Sequence, residues 1–280
     1  MTHVSSRRMV IHVPHAATQL PDAYRAQFGI PDDALQAEIH ASADLHTDHL
    51  AQAVWPQADI VTACASRVLL DVERYADDTQ EAMSRVGRGV IYTHDRSGRS
   101  LQRSVSPEDR AHLLEHFYHP HWQRLRQAAA GAVLIDLHTY PATPWPIEPQ
   151  ANAPRPEIDL GTSPGVTPPN WAGALRDHFE QQGFSVAENS PYAGVIDAGA
   201  EAAIMIEIRR DILGDGPGSA QWHRLTSALS AMPVPSPCLM KWCSCESSKS
   251  PRGRTGSLRG RTGSLRNSQT DRKMNRNLHP

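Results

Sequence analysis

Three apolar runs in this sequence lead into residues that do chemistry. Val133-Leu134-Ile135-Asp136-Leu137-His138-Thr139 passes from aliphatic side chains to an acid, an imidazole and a hydroxyl. Met9-Val10-Ile11-His12-Val13-Pro14-His15 ends in a histidine, and Ala203-Ile204-Met205-Ile206-Glu207-Ile208-Arg209-Arg210 runs through a carboxylate into paired arginines. Open α/β sheets keep their chemistry at strand ends, so the three runs predict one site built from distant segments. Its content of histidine and acid points to a metal. Hydrolytic zinc sites use three N or O ligands and leave a position for water. His15 and His138, each beyond an apolar run, are the candidate imidazole ligands. The segment Asp44-Leu45-His46-Thr47-Asp48 offers a third: Asp44 and Asp48 share one face of a helix, whereas His46 points elsewhere. Asp44, His46 and Asp48 all stay open as that ligand, the plainer reading being a solvated helix face.

Glu207 interrupts an aliphatic run, where a carboxylate is unfavourable unless it is paired or used. It suits a general base that takes a proton from metal-activated water, the alternative being an ion pair with Arg209 or Arg210. Ser66-Arg67-Val68-Leu69-Leu70-Asp71-Val72-Glu73-Arg74 carries arginine near either end, and the guanidinium fork of Arg67 or Arg74 matches a substrate carboxylate or a developing oxyanion. A serine or cysteine nucleophile has little support: no G-x-S-x-G occurs, and Cys64 has only small apolar neighbours. No dinucleotide or phosphate loop is present either.

These residues need elements to hold them. Strand-like runs are Met9–Val13, Ile60–Ala63, Val68–Val72, Gly89–Tyr92, Val133–Leu137, Phe184–Ala187 and Ala203–Ile208. Between them lie helical patterns: about Asp32 to Val54 after Pro31; from the Ser106 cap, with Pro107 and Asp109, through to Gly131; Asn170 to Gln182, stopped by Gly183; and Ala220 to Ala231. Alternation of this kind predicts a parallel or mixed sheet covered by helices. Pro141 to Pro169 holds nine prolines and reads as a long ordered loop.

The 280 residues suffice for one large domain, and 21% charged with 39% hydrophobic residues is ordinary for a globular protein. No apolar run approaches the roughly 18–20 residues of a membrane span, and the N-terminus lacks a signal-peptide pattern. Only Cys64 precedes the last fifty residues, which fits a reducing cytoplasm rather than a disulfide framework. Residues 1–232 carry 18 Arg, no Lys and 28 acids, a net charge of −10, whereas residues 233–280 carry 10 Lys+Arg and 2 acids, a net charge of +8. The first part reads as the catalytic domain. The second, with its repeated GRTGSLR heptad, reads as a basic disordered tail. Such a tail could touch RNA or anionic membrane, but an altered terminus better explains the sudden lysines and cysteines. Cys238, Cys243 and Cys245 match no common zinc spacing. Neither nucleic-acid nor membrane partners are expected.

Taken in series, these segments resemble the N-formylglutamate amidohydrolase family. Pro14-His15-Ala16-Ala17 is similar to its Pro-His-Ser-Gly turn, and Asp44–Leu50 to its Asp-x-His-x-Asp-x-Leu helix. Ser66–Arg74 resembles its Ser-Arg-x-x-x-Asp-x-Asn-Arg stretch, with Glu73 in place of Asn. Pro120-His121 resembles its Pro-Tyr-His, Asp136–Thr139 its Asp-x-His-Ser, and Arg155–Thr162 its Arg-x-Asp-x-x-Leu-Gly-Thr loop. Glu188–Gly194 resembles its Asn-x-Pro-Phe-x-Gly-Gly turn, and Ile206–Arg210 its Glu-x-x-Arg strand. Departures at Ala17, Glu73, Thr139 and Ala193 mark a divergent member.

The resemblance implies a zinc carboxypeptidase-like α/β/α fold with a mixed eight-stranded sheet, and hydrolysis of an N-formyl or other short N-acyl amino acid, N-formylglutamate foremost. It implies one zinc on His15 and His138. Carboxypeptidases take their acidic ligand three residues after the first His, which here is Thr18, so Asp44 is the expected third ligand. Glu207 would be the catalytic glutamate, Arg67 the carbonyl-polarising arginine, and Arg74 the grip on the substrate carboxylate, with Asn189 and Arg210 also binding substrate. A zinc peptidase or deacylase of other specificity, or a binding protein without catalysis, would share these residues.

Overall fold

A mixed sheet of six strands, in the order β2-β1-β3-β6-β4-β5, runs through residues 8–235, the part of the chain that the computed structural model describes. In chain order the elements are β1 (Met9–Val13), α1 (Asp22–Arg25), α2 (Asp32–Ser42), α3 (Thr47–Val54), β2 (Asp59–Thr62), α4 (Pro107–Leu113), α5 (His119–Ala129), β3 (Val133–Tyr140), β4 (Ile158–Gly161), α6 (Pro169–Gln181), β5 (Val186–Glu188), β6 (Ala202–Arg209) and α7 (Ala220–Ser230). Strands β2, β1, β3 and β6 are parallel; β4 pairs antiparallel with β6 and parallel with β5. The architecture is the expected helix-flanked mixed sheet. It has six strands among the described residues where the resemblance implied eight. Most of the basic tail, with Cys238, Cys243 and Cys245, lies outside the described residues. None of the described helices is long and apolar enough to cross a membrane.

Period-two alternation sorts the three central strands into two unlike faces. Ile11 and Val13, Ile135 and Leu137, and Ile204, Ile206 and Ile208 point to one side. There they pack with Leu50 of α3, Trp171 and Phe179 of α6, and Trp222 and Leu225 of α7. Fully burying one such aliphatic side chain contributes about 1.5–3 kcal/mol. The opposite face begins in the same way, with Val10, Leu134 and Ala203 against Leu113, Trp122, Leu125 and Ala129. Further along the strands the same row becomes His12, Asp136, His138 and Glu207, all buried. The apolar half anchors the sheet so that the polar half can be held rigidly at the strand ends.

Several sequence expectations change in the folded chain. The helix expected from Asp32 to Val54 is two, because Ala43 is extended and His46 adopts a left-handed conformation with φ 69°. Asp44, in the break, donates its backbone N–H to the His15 carbonyl at 2.9 Å, which ties the kink to the end of β1. Val68–Val72 is not a strand: the Ser66 carbonyl accepts from Leu69 N–H at 2.9 Å, and the Ser66 hydroxyl accepts from Val68 N–H, so local side-chain bonding turns the backbone. Gly89–Tyr92 forms only an isolated bridge, Arg88 to Tyr92, beside the left-handed Gly87. The proline-rich stretch conceals β4, whose four residues are all buried.

The Ser106 capping box forms as expected, with Pro107 opening α4. The helix then passes through a π-helical turn, Leu114–Tyr118, before continuing as α5. Downstream of β5, Asn189 (φ 55°) accepts N–H groups from Thr162 and Gly194 at 2.9 Å each, while Asp159 accepts from Ser190 and Tyr192. These bonds pin the Asn189–Ile196 loop onto β4. Gly161 permits the approach: a Cβ there would meet the Gly194 carbonyl oxygen at 2.2 Å and Met205 Cε at 2.4 Å. A Gly161→Ala substitution is therefore expected to destabilise the protein by about 1–3 kcal/mol and to lower its melting temperature, as thermal unfolding followed by circular dichroism would report. An unchanged melting temperature would contradict the close approach.

Candidate active site

The polar ends of β1, β3 and β6 open into a cavity of about 620 Å³, lined among others by His15, Asp44, Arg67, Glu73, Arg74, His138, Glu207 and Arg210. Register explains the meeting: His138 is the cross-strand neighbour of Glu207, and Asp136 that of His12. His15 follows the end of β1, and the break between α2 and α3 delivers Asp44 from above.

The donor atoms of His15, His138 and Asp44 form a tight triangle. The two Nδ1 atoms are 3.3 Å apart, and Asp44 Oδ2 lies 3.3 Å from His138 Nδ1 and 3.6 Å from His15 Nδ1. The far edges of both rings are engaged. His15 Nε2 meets Asp71 Oδ1 at 2.9 Å and His138 Nε2 meets Asp136 Oδ1 at 3.0 Å. An ionised carboxylate only accepts, so each Nε2 carries a hydrogen, which leaves Nδ1 of each ring as the nitrogen turned toward Asp44, where a proton or a metal ion can sit. Nitrogens bound to one tetrahedral zinc at about 2.0–2.1 Å stand roughly 3.3–3.4 Å apart, and the triangle fits that size.

Charge tells the same story. Burial alone would raise the Asp44 carboxyl, yet hydrogen bonds from His138 and His15 and the nearby Arg210 hold it well below the usual range. Burial likewise opposes a charge on His138, but Glu73 and Asp136 outweigh it and hold the imidazole pKa well above its ordinary value. The surroundings favour positive charge at this point. Two further sets of donor atoms lie within 4.8 Å of one another: His15, Glu73 and His138; and His12, Glu73 and Asp136. In the first, Glu73 approaches the Nε2 edges at 3.4 and 3.3 Å, edges that Asp71 and Asp136 occupy at shorter range. Both the Nδ1 triangle and these sets could hold a cation.

Glu207 lies beside this triangle with its Oε2 buried and without a hydrogen-bond partner. Burial pushes its carboxyl up to about 8; His138 opposes the rise, and Asp44, Asp159 and Glu73 add to it. It forms no ion pair with Arg209, which binds Asp211, or with Arg210, which binds Asp44 Oδ1 at 3.1 Å and the Ala41 carbonyl at 2.8 Å. Arg210 thus braces Asp44. Arg67 donates to Asp71 Oδ2 at 2.7 Å and to Tyr92 at 3.0 Å, presenting a fixed charge to the cavity it lines. Arg74 Nε is buried without a hydrogen-bond partner, 3.6 Å from Asp71. Over the cavity, Trp145 lies against both Arg88 (5.3 Å) and Arg210 (5.8 Å), fixing one end of the proline-rich stretch over the site.

Of the residues singled out in the sequence, His15, His138, Asp44, Glu207, Arg67, Arg74 and Arg210 come together here. His46 is exposed and Asp48 caps the local backbone at His49 N–H, so of that segment only Asp44 enters. Asn189 is not among the residues that line the cavity; its side-chain amide bonds Thr162 and the Gly194 N–H. Asp71, Asp136 and Glu73 were not singled out as site residues. Their signal was positional: Asp136 precedes His138 by two and shares its face, and Asp71 and Glu73 sit between the two arginines.

The profile of the N-formylglutamate amidohydrolase family matches residues 7–213. The N-formylglutamate amidohydrolase from Ralstonia eutropha JMP134 is similar in structure, with a TM-score of 0.66 and 21% identity over 84% of this chain and 92% of that one. A gene product of Agrobacterium tumefaciens aligns with a TM-score of 0.62 and 18% identity, over 81% and 88% of the respective chains. Comparison with curated protein sequences found no match. The structural likenesses show a shared fold, and the profile, which covers both imidazoles, the acidic turn and Glu207, shows the lineage: the chain belongs to the N-formylglutamate amidohydrolase family.

Proposed function

We propose that this chain is a zinc-dependent amidohydrolase that cleaves the N-acyl amide of an N-formyl or other short N-acyl amino acid, N-formylglutamate foremost, to a small acid and the free amino acid. The carrying observation is the triangle of His15 Nδ1, His138 Nδ1 and Asp44 Oδ2, no edge longer than 3.6 Å, beside the unpartnered Glu207 in a cavity lined by arginines. His15, His138 and Asp44 would hold the metal. A zinc ion there would supply Lewis acidity and make nearby water acidic enough to lose a proton near neutral pH.

The chain's own groups do the rest. Arg74, with Nε lacking a hydrogen-bond partner, binds the substrate carboxylate and fixes the amide over the triangle. Arg67, anchored by Asp71 and Tyr92, offers its charge to the carbonyl oxygen as negative charge develops there. Glu207 takes the proton of the attacking water and passes it to the amide nitrogen as the C–N bond breaks. The buried walls around Glu207 keep that proton from bulk solvent. The product amine leaves with the proton and the acyl carbon keeps the water oxygen. Cytoplasmic action on a small molecule, without nucleic acid or membrane, accords with this reading.

Elemental analysis is the direct test of the metal. About one zinc per chain is expected, lost in Asp44→Ala and in His15→Ala but kept in Glu73→Gln. Zinc lost with Glu73 and kept without Asp44 would move the metal to the Nε2 side of the rings. For the chemistry, Glu207→Gln should fold, keep its zinc and lose roughly 10²–10⁴-fold in kcat on N-formylglutamate; undiminished turnover would remove Glu207 from the mechanism. Arg74→Met should raise KM for that substrate far more than it lowers kcat, the pattern of lost ground-state binding.

A further inference from the structure

Two buried histidines have no part in the chemistry above. His12 is in the middle of β1 and fully buried; His121, from α5, is 1% exposed. An imidazole inside a sheet is unfavourable unless its nitrogens are satisfied, and an aliphatic residue would pack there as well. Their bonds run toward the site. His121 Nε2 meets His12 Nε2 at 2.8 Å, with the ring centroids 5.0 Å apart. His12 Nδ1 meets Asp136 Oδ1 at 2.9 Å, and the same oxygen meets His138 Nε2 at 3.0 Å.

We propose that His12 and His121 are positioning residues of the metal centre, acting through Asp136 to hold His138 with its Nδ1 toward Asp44 and His15. The inference rests on the zinc reading above. Asp136 has no hydrogen to give, so both imidazoles that meet its Oδ1 must donate, His12 from Nδ1 and His138 from Nε2. The donation from His138 Nε2 fixes the ring with Nδ1 toward Asp44 and His15, the nitrogen on which a metal ion would replace a proton. His12 keeps Asp136 from rotating away by bonding the same oxygen from the opposite side. His121 fixes His12 in turn: the two Nε2 atoms share one hydrogen, so the His12 ring cannot flip without losing a buried bond. Burial, helped by the charges of His12 and Arg124, drives the His121 pKa down to about 2, so this outer ring stays neutral. The order along the chain is thus an element of the opposite layer (α5), then β1, then β3, then the metal position.

His12 also belongs, with Glu73 and Asp136, to one of the alternative donor sets. The relay accounts for that proximity without a second ion: the His12–Asp136 distance is that of a hydrogen bond, and Glu73 Oε1 lies farther off, 3.6 Å from His12 Nδ1.

The test is zinc affinity, measured on the full chain by competition with a chromophoric chelator, beside the melting temperature of the metal-free protein. His12→Leu should weaken zinc binding about 10–100-fold, the range for removed outer-shell partners. His12→Asn, whose amide can still donate to Asp136, should recover most of that loss. His121→Phe should weaken zinc in the same direction, and His121→Gln, which can still share a hydrogen with His12, should not; this pair decides the matter if His12→Leu does not fold. A purely structural role predicts lower melting temperatures with zinc affinity unchanged across all four variants, and that result would overturn the proposal while leaving the zinc reading intact. Two zinc ions per wild-type chain, one of them lost in His12→Asn, would overturn it by making His12 a ligand. A wild-type chain that takes up no zinc would sink the zinc reading itself.

Discussion

The site depends on a crowd of buried carboxylates. Asp44, Asp71, Asp136 and Glu207 are all at least nine-tenths buried, and Glu73 stands among them. Charges of one sign at such range are strongly unfavourable in a low-dielectric interior unless positive groups interleave them. The chain supplies that compensation in two ways. Arginines approach from outside: Arg67 holds Asp71 and Arg210 holds Asp44. Imidazoles stand between the acids, so nearly every polar contact here is an oxygen against a nitrogen. On the inner side Nδ1 of His15, Nδ1 of His138 and one Asp44 oxygen face a common point. A cation at that point is what the proposed function requires.

Holding such a group together requires a rigid frame, and the sheet provides it by dividing labour between its faces. One face is aliphatic almost to the strand ends, where Thr139 follows Leu137, and is covered by α3, α6 and α7. The other is aliphatic only at the start of each strand. Because β1, β3 and β6 are parallel, their polar ends fall together at one edge, which is how parallel sheets gather residues distant in sequence into one place. The antiparallel β4 adds a different element. It carries the pinned Asn189–Ile196 loop against the cavity, so the wall of the pocket is fastened to the same sheet as its floor.

Much of this was legible in the chain. His15, His138 and Glu207 announced themselves by ending or interrupting apolar runs, a signal that survives because buried strands have no other use for such residues. Helical spacing left Asp44 one of three candidates and only the family resemblance preferred it; the break in the helix is what brings it to the cavity while leaving His46 and Asp48 out. Helical spacing described a continuous helix there, and the left-handed His46 that ends this continuity is paid for by a tertiary bond from Asp44 to the end of β1. The turn that places Asp71 is hidden for a related reason. The run from Val68 to Val72 is apolar enough for a strand, but Ser66 and Asp71 bond the local backbone and turn it. The strand β4 escaped notice because prolines surround it, and four buried residues are too few to show a period. His12 was the least legible of all: inside an aliphatic run a lone histidine reads as core, and only the neighbouring strand and α5 give it partners.

A π-helical turn, Leu114–Tyr118, joins α4 to the helix that carries His121. A π turn holds one residue more than an α turn, and one residue is about 100° of helical phase. Without Leu114–Tyr118 in that form, α4 and α5 would be a single regular helix. With Leu113 held in the core, the whole of α5, His121 and Leu125 included, would then be turned by about that angle. The outermost imidazole of the relay thus owes its place to a backbone irregularity several residues away. In evolutionary terms, a histidine at this position is informative only in relatives that share the bulge, and a search for the same relay should look for the helical irregularity before the side chain.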